Sequence, residues 1–470
     1  MLKNEVVSPN IKNFIESLRD IGYSFEVAIA DLIDNSIAAR ASNILIYTVS
    51  EPDMIFSMLD DGNGMSESEL IEAMRLASKS PNEERTKYDL GRFGFGLKTA
   101  SFSQCRKLTV LSKKDDLLSA RQWDLDIISK YDKWLLISPD NYTNLPLLDE
   151  LRKLKKGTLV VWEKLDRCQK GKFSNYINKL RRHLALVFHR FLETAERFSV
   201  LKISVNSNPI QPFNPFNSNH PATQQISTEK IKLYGSTIYV QPYILPHHSK
   251  LSPQDYEQYA TQEGYVKSQG FYLYRADRLL IHGTWWGLHK AIDAHKLVRV
   301  KIDIPNDLDK HWGIDIKKSI ARPSPEIKKD LKRIIAQVTE KGSRPFTGRG
   351  KKIEDKTKKQ FWQIVPIDND FRFAINLQHP IYEQLISLLN EDAKEILNIY
   401  LKALQAYLPL EAIQAKLQQN PYRIRQETAL TNDEVLELAE KIKSLNISQE
   451  QIDSLLKTEI FRESKEVFNK

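Results

Sequence analysis

The chain has 470 residues, 41% of them hydrophobic and 9% aromatic, with a formal net charge of +9. That length exceeds a single compact core and calls for two or three domains, and the composition excludes a disordered chain. No run of about 18 apolar residues occurs, so no membrane-spanning helix is expected. The opening MLKNEVVSPNIKNF lacks the apolar stretch of a secretory signal, and two cysteines cannot build a disulfide framework, so a cytoplasmic protein is expected.

Residues 10–40 read as helix, with Ile29, Leu32 and Ile33 at helical spacing. Two short apolar strands follow at 43–49 and 54–59, then a helix at 66–78 opened by a Ser66–Glu69 capping box. Residues 79–96 are polar and then glycine-rich, which predicts a loop, and the next helix starts at Leu97. Strands are expected at 107–112, 118–126, 134–138 and 157–163, before an amphipathic helix over 172–197. A second block opens at 201–213 with strand-like alternation, followed by an exposed loop at 213–225. Strands follow at 230–245, 270–274, 278–282 and 297–303, and a helix at 324–340. Residues 341–360 read as a flexible basic linker, and 378–468 as mostly polar helix with Leu/Ile stripes.

The positive charge is unevenly spread. Residues 321–360 hold 13 Lys/Arg against 5 Asp/Glu, whereas 361–470 hold 12 against 17. A segment so basic suits contacts with nucleic-acid phosphates, although such a linker serves equally as a soluble spacer.

Three motifs within 70 residues carry the chemistry. In ADLIDNS (30–36), Asp31 and Asn35 lie four apart on one helix face. Asn35 offers a neutral oxygen to a hard cation such as Mg²⁺, and Asp31 a carboxylate that orients or deprotonates a water. In LDDGNGM (59–65), Asp60 ends a strand before a Gly-x-Gly turn and is placed to accept the exocyclic amine of a base. In GRFGFGLKTA (91–100), the glycines let backbone approach a ligand closely, and the helix start at Leu97 offers amides to an anion. Each motif alone reads as readily as a solvated helix face or an ordinary turn. A Rossmann fingerprint is excluded because Gly91 ends no apolar strand, and a Walker loop because no GxxxxGK[ST] occurs.

Taken in order and spacing, these boxes resemble those of the GHKL ATPases: DNA gyrase B, the ninety-kilodalton heat-shock chaperone, MutL and the histidine kinases. A fourth box, KGTLVVWEKL (156–165), matches where Gly157-Thr158 opens a strand. The resemblance implies an α+β chain. Its parts would be an N-terminal Bergerat-type α/β sandwich ATPase domain (1–200), a transducer-like α/β domain (201–340), a basic linker (341–365) and an α-helical C-terminal region (366–470). It implies ATP and Mg²⁺ as ligands, with Asn35 on the metal and Asp60 on the adenine, supported by Gly62, Gly64 and Thr158. Gly91, Gly94, Gly96 and Lys98 would wrap the phosphates, with Met65, Phe95 and Leu97 of the same boxes at the nucleotide. Asp31 falls where the family usually carries a glutamate as general base. One methylene fewer puts the carboxylate roughly 1.5 Å short, enough to predict slow turnover. In HWGIDIKKSIARP (311–323), Lys318 first and Lys317 second resemble the second-domain lysine that reaches the γ-phosphate.

The wordings AIADLIDNSIAA and LGRFGFGLKTAS are most similar to the MORC and MutL-like branch, whose prokaryotic members often accompany restriction-type and phage-defence genes. The resemblance thus implies an ATPase that closes as a homodimer through its ATPase domain and clamps DNA through residues 321–360. The C-terminal helices would then serve a protein effector, and no membrane role is implied. The alternatives are a non-hydrolysing, nucleotide-gated adaptor that recruits an effector, and a heat-shock-type chaperone.

Overall fold

The computed structural model describes residues 10–76, 96–193, 200–261, 263–315, 317–350, 360–367, 370–419, 432–444, 448–456, 458 and 460–461. They divide between two units, one formed from 1–245 and 259–339, the other from 246–258 and 340–470. The chain is a mixed α/β protein with sheets and helices in both units.

The first unit opens with two helices where hydrophobic spacing predicts one, α1 (Ile11–Arg19) and α2 (Phe25–Ala38). Gly22, at φ +84°, turns the chain between them. There follow β1 (Asn43–Val49), β2 (Ile55–Asp60), α3 (Glu67–Met74), α4 (Gly96–Phe102), β3 (Cys105–Lys114) and β4 (Leu117–Asp124). Next come α5 (Leu125–Tyr131), α6 (Leu148–Lys153), β5 (Gly157–Leu165), α7 (Phe173–Val187), α8 (His189–Glu193), β6 (Lys202–Val205) and β7 (Asn208–Pro209). The strands form a seven-stranded sheet in the order β4-β3-β5-β2-β1-β6-β7, antiparallel except where β6 runs parallel to β1. The sequence reading places 202–205 in the second block. The fold instead uses it to extend the first sheet, with Ile203 and Val205 completing the apolar core. Residues 134–138 contribute one bridge, Gln122 to Ile137, rather than a strand.

Strand alternation divides the buried side chains between two faces. On one, Ile44, Phe56, Leu108 and Trp162 pack with Ala28, Ile29 and Ile33 of α2, Phe102 of α4, and Leu180 and Leu184 of α7. On the other, Leu59, Leu111, Leu159 and Val161 meet Leu148 and Leu151 of α6.

The same unit holds a second sheet built from β8 (Gln224–Gln225), β9 (Glu229–Leu233) and β10 (Ser236–Ile244) and then, past α9 (Pro253–Ala260), β11 (Gly270–Arg275), β12 (Arg278–Thr284) and β13 (Val298–Ile304). Its order is β12-β11-β13-β10-β8, with β9 also on β10. After the short α10 (Asp309–Trp312), α11 (Pro325–Gly350) lays Ile327, Leu331, Ile334, Ile335 and Val338 against this sheet. Helix α11 also runs into the segment expected as a linker from 341; residues 351–359 lie outside the described residues. The β11–β12 turn is tight, with Ala276 and Asp277 both at positive φ, and Ala276 packs against the core of the first sheet.

The second unit contains a hairpin, β14 (Trp362–Ile367) with β15 (Asp370–Ile375), and helices α12 (Pro380–Leu388), α13 (Glu391–Ala406), α14 (Leu410–Gln419), α15 (Asn432–Lys443) and α16 (Gln449–Leu455). The region from 366 is therefore not wholly helical: the β-branched and aromatic residues of WQIVPI and DFRFAI favour strand pairing. Among the described residues no helix is long and apolar enough to cross a membrane.

Candidate functional site

Helix α2 is buried almost all round, yet it carries three carboxylates: Glu26, paired with Lys179 at 2.8 Å, and the neighbouring Asp31 and Asp34. Asp31 and Asp34 have side chains only 2% exposed. Charges taken out of water need partners, and three groups supply them. The Tyr23 hydroxyl donates to Asp31 Oδ2 at 2.9 Å. Lys318 Nζ donates to Asp31 Oδ1 at 3.1 Å and to Asp34 Oδ2 at 2.5 Å. Arg278 Nε donates to Asp34 Oδ1 at 2.8 Å, and its Nη2 stands 3.7 Å from Asp31 Oδ1. Burial pushes the Asp31 carboxyl up from its ordinary range, Lys318 pulls it back, Asp34 adds to the rise and Arg278 opposes it. Burial, with Asp31 beside it, holds the Tyr23 phenol protonated well above the usual tyrosine range.

Asn35 differs from its neighbours. From Asp31 to Ile37 every residue is buried except Asn35, which is exposed. An accessible amide oxygen at this point fits a hard cation that keeps water and phosphate as its other ligands, as Mg²⁺ does. Gly96, the first residue of α4, faces the same spot: a Cβ there would stand 3.9 Å from Asp31 Oδ2.

Asp60, at the end of β2, is held differently. Ser36 Oγ donates to its Oδ2 at 2.8 Å and the Gly62 amide to its Oδ1 at 2.9 Å. Burial raises its carboxyl to about 6, against the hydrogen bonds from Ser36 and Gly62. The turn that follows is sterically fixed. Gly64 sits at φ +66°, and a Cβ there would come within 2.0 Å of the Lys113 carbonyl oxygen. Gly157 packs so closely that its Cβ would lie 2.3 Å from the Asp60 carbonyl oxygen. Ser112 ties the region together, since its Oγ accepts from the Met65 amide at 2.8 Å and lies 2.9 Å from Thr158 Oγ1.

The residues picked from the sequence therefore gather at two ends of one site. Asp31, Gly96 and Lys318 meet at one end. Asp60, Gly62, Gly64, Met65 and Thr158 surround the other, and Ser36 links Asp60 to α2. Lys98 turns elsewhere: its Nζ donates to the Ala73 carbonyl at 2.9 Å, and burial lowers it to about 8. Leu97 packs against the core, and Lys317 donates to the Gly22 carbonyl at 3.4 Å. Gly91, Gly94 and Phe95 lie outside the described residues. Sequence reasoning did not single out Tyr23, Asp34, Arg278 or Ser112. Asp34 stood inside a motif already marked, whereas Arg278 follows a turn without the usual Asn-Gly signal.

Residues 23–158 match the profile of the histidine kinase-, DNA gyrase B- and HSP90-like ATPases. This stretch is a GHKL-type ATPase domain. Its similarity runs to the MORC and MutL branch. It is 31% identical over 119 residues to the ATPase morc-1 of Caenorhabditis elegans, which takes in 25% of this chain and 14% of that protein. It is 32% identical over 89 residues to the DNA mismatch repair protein MutL of Dictyoglomus turgidum, 18% of this chain and 16% of that one. The human ATPase MORC2 is 30% identical over 96 residues, 20% of this chain and 9% of its own length. The chain thus aligns with only a small part of each relative.

Proposed function

We propose that the chain binds ATP with Mg²⁺ between Asp60 and Lys318, hydrolyses it slowly, and closes as a homodimer around DNA when ATP is bound. The observation that carries this reading is the meeting of Lys318 with Asp31 beside the start of α4. It joins a cation from the loop between α10 and α11 to the carboxylate of the first motif. A terminal phosphate needs both a counter-charge and a base within reach.

Each residue then has one task. Asp60 accepts the adenine amine while Ser36 and Gly62 hold its carboxylate. Asn35 holds the metal, whose charge would offset that of the phosphates. Asp31, oriented by Tyr23, positions a water and takes its proton. Lys318 moves from the carboxylates to the γ-phosphate, beside Gly96 at the start of α4; Gly91, Gly94 and Lys98 keep the phosphate contacts that the resemblance implies. Lys317 is the second candidate for the phosphate contact. The three-part architecture of ATPase domain, transducer-like domain and C-terminal region belongs to this proposal. So do DNA contacts from residues 321–360, an effector on the C-terminal helices, and a cytoplasmic, defence-related setting.

Steady-state ATP hydrolysis tests the reading. Turnover should exceed that of an Asn35→Ala control; equal rates would overturn it. A non-hydrolysing, nucleotide-gated adaptor is the second reading. It is favoured by the engagement of both Asp31 oxygens, by Tyr23 and by Lys318, which leaves less room for base catalysis.

A further inference from the structure

Beside Glu26, helix α2 buries two neighbouring carboxylates, Asp31 and Asp34, and the reading above uses only Asp31. Asp34 sits one turn later, and its two oxygens hold two different cations, Arg278 on Oδ1 and Lys318 on Oδ2. Arg278 is itself 3% exposed and lies with its guanidinium 5.7 Å from the Phe188 ring. It reaches α2 because it follows the tight β11–β12 turn at once. That turn is anchored in its own unit, since Arg190 donates to Asp277 at 3.2 Å and to Asp303 at 2.5 Å.

Consider what a lysine must do to leave this cluster. A buried carboxylate stripped of its counter-ion costs several kcal/mol. Were Lys318 the sole cation on Asp34, its move to a phosphate would strand that carboxylate, and the lysine would stay. Arg278 removes the obstacle. Its planar donors keep Asp34 satisfied after Lys318 departs. With Lys318 gone, Arg278 still faces both carboxylates, Asp34 at 2.8 Å and Asp31 at 3.7 Å, so neither is left without a cation beside it.

We propose that Arg278 is a positioning residue for the phosphate-reading lysine: by holding Asp34 it frees Lys318 to exchange between the α2 carboxylates and the terminal phosphate of a bound nucleotide. The proposal rests on the nucleotide-binding reading above. It separates Arg278 from a plain structural ion pair, because only the terminal phosphate senses Lys318. A structural loss would weaken ADP and ATP alike.

The test is calorimetric. The full chain is titrated with Mg²⁺ plus ADP, and with Mg²⁺ plus the imido analogue of ATP. Arg278→Gln should leave ADP affinity unchanged and cut the preference for the analogue by about tenfold or more, the scale of one hydrogen bond to a charged group. Adding Asp34→Asn should restore much of that preference, since the shorter of the two ion pairs that compete for Lys318 is gone. Asp34→Asn alone should raise it above wild type, and this variant stands in if Arg278→Gln does not fold. Three results overturn the proposal: equal losses for both nucleotides in Arg278→Gln, no recovery in the double variant, or no gain in Asp34→Asn. If the wild type binds neither nucleotide, the nucleotide-binding reading itself falls, which is distinct from ADP binding with unchanged preference.

Discussion

The two ends of the site are built on opposite principles. Around Asp60 every partner is neutral and supplied by the first sheet and its helix: the Ser36 hydroxyl, the Gly62 amide and the β5 backbone opposite. Around Asp31 and Asp34, beside the Tyr23 hydroxyl, the partners are cations from a distant part of the sequence, Arg278 and Lys318. The first end is fixed by covalent closeness and steric fit, and suits reading a rigid base. The second is held by exchangeable ion pairs, and suits a group that arrives and leaves. On the proposed reading, recognition and switching are separated within one site.

The largest expected effect strikes the phosphate end. Asp31→Asn should lower turnover by about 10²–10⁴-fold, the range of a lost general base, with nucleotide affinity retained. Single-turnover hydrolysis together with a binding titration checks both halves. Tyr23→Phe should fall in the same direction but less, because the carboxylate loses only its orienting donor.

Next comes the adenine end. Asp60→Asn replaces an ionised acceptor by an amide and should weaken ADP and ATP equally, by about 1.5–3 kcal/mol or roughly tenfold to a hundredfold. Loss confined to ATP would break the proposed division between the two ends.

A pH dependence sharpens the same contrast. The folded carboxyl of Asp60 stands at about 6, above the ordinary value near 3.9. Between those values the folded state binds more protons than the unfolded one, so the nucleotide-free protein loses stability as pH rises from about 4 to 6. The contribution is about 3 kcal/mol and should vanish in Asp60→Asn. Adenine binding needs the ionised form, so nucleotide affinity should fall below about pH 6. Denaturant melts and titrations at pH 5 and pH 7 check both.

The smallest effect concerns DNA. Lys329 and Lys332 are exposed on α11. If they contact phosphates, replacing both by Gln should lower the slope of log affinity against log salt by about two, with no change in sequence preference. An unchanged slope would remove α11 from the DNA surface.

What the sequence made legible follows the same line. Asp31, Asn35, Asp60, Gly62 and Gly64 could be singled out because each lies in a short run of telling residue type and spacing; their nucleotide roles belong to the proposal. Lys318 was ranked before Lys317, and the fold turns the first toward Asp31 and the second toward Gly22. Arg278 was beyond reach, since no local pattern marks a side chain whose meaning comes from a partner 244 residues away. The assignment of 202–205 to the second block failed for a related reason, because parallel pairing with β1 is a long-range choice that alternation does not encode. The β14–β15 hairpin was lost to its basic and polar neighbours, which read as linker and tail.

The central claim is that a lysine from beyond the second sheet reads the terminal phosphate opposite Asp31. The most direct measurement compares wild type and Lys318→Met for binding of ADP and of the imido analogue of ATP, each with Mg²⁺. The account predicts unchanged ADP affinity and loss of the preference for the analogue. A variant that still prefers the analogue as strongly as wild type would contradict it.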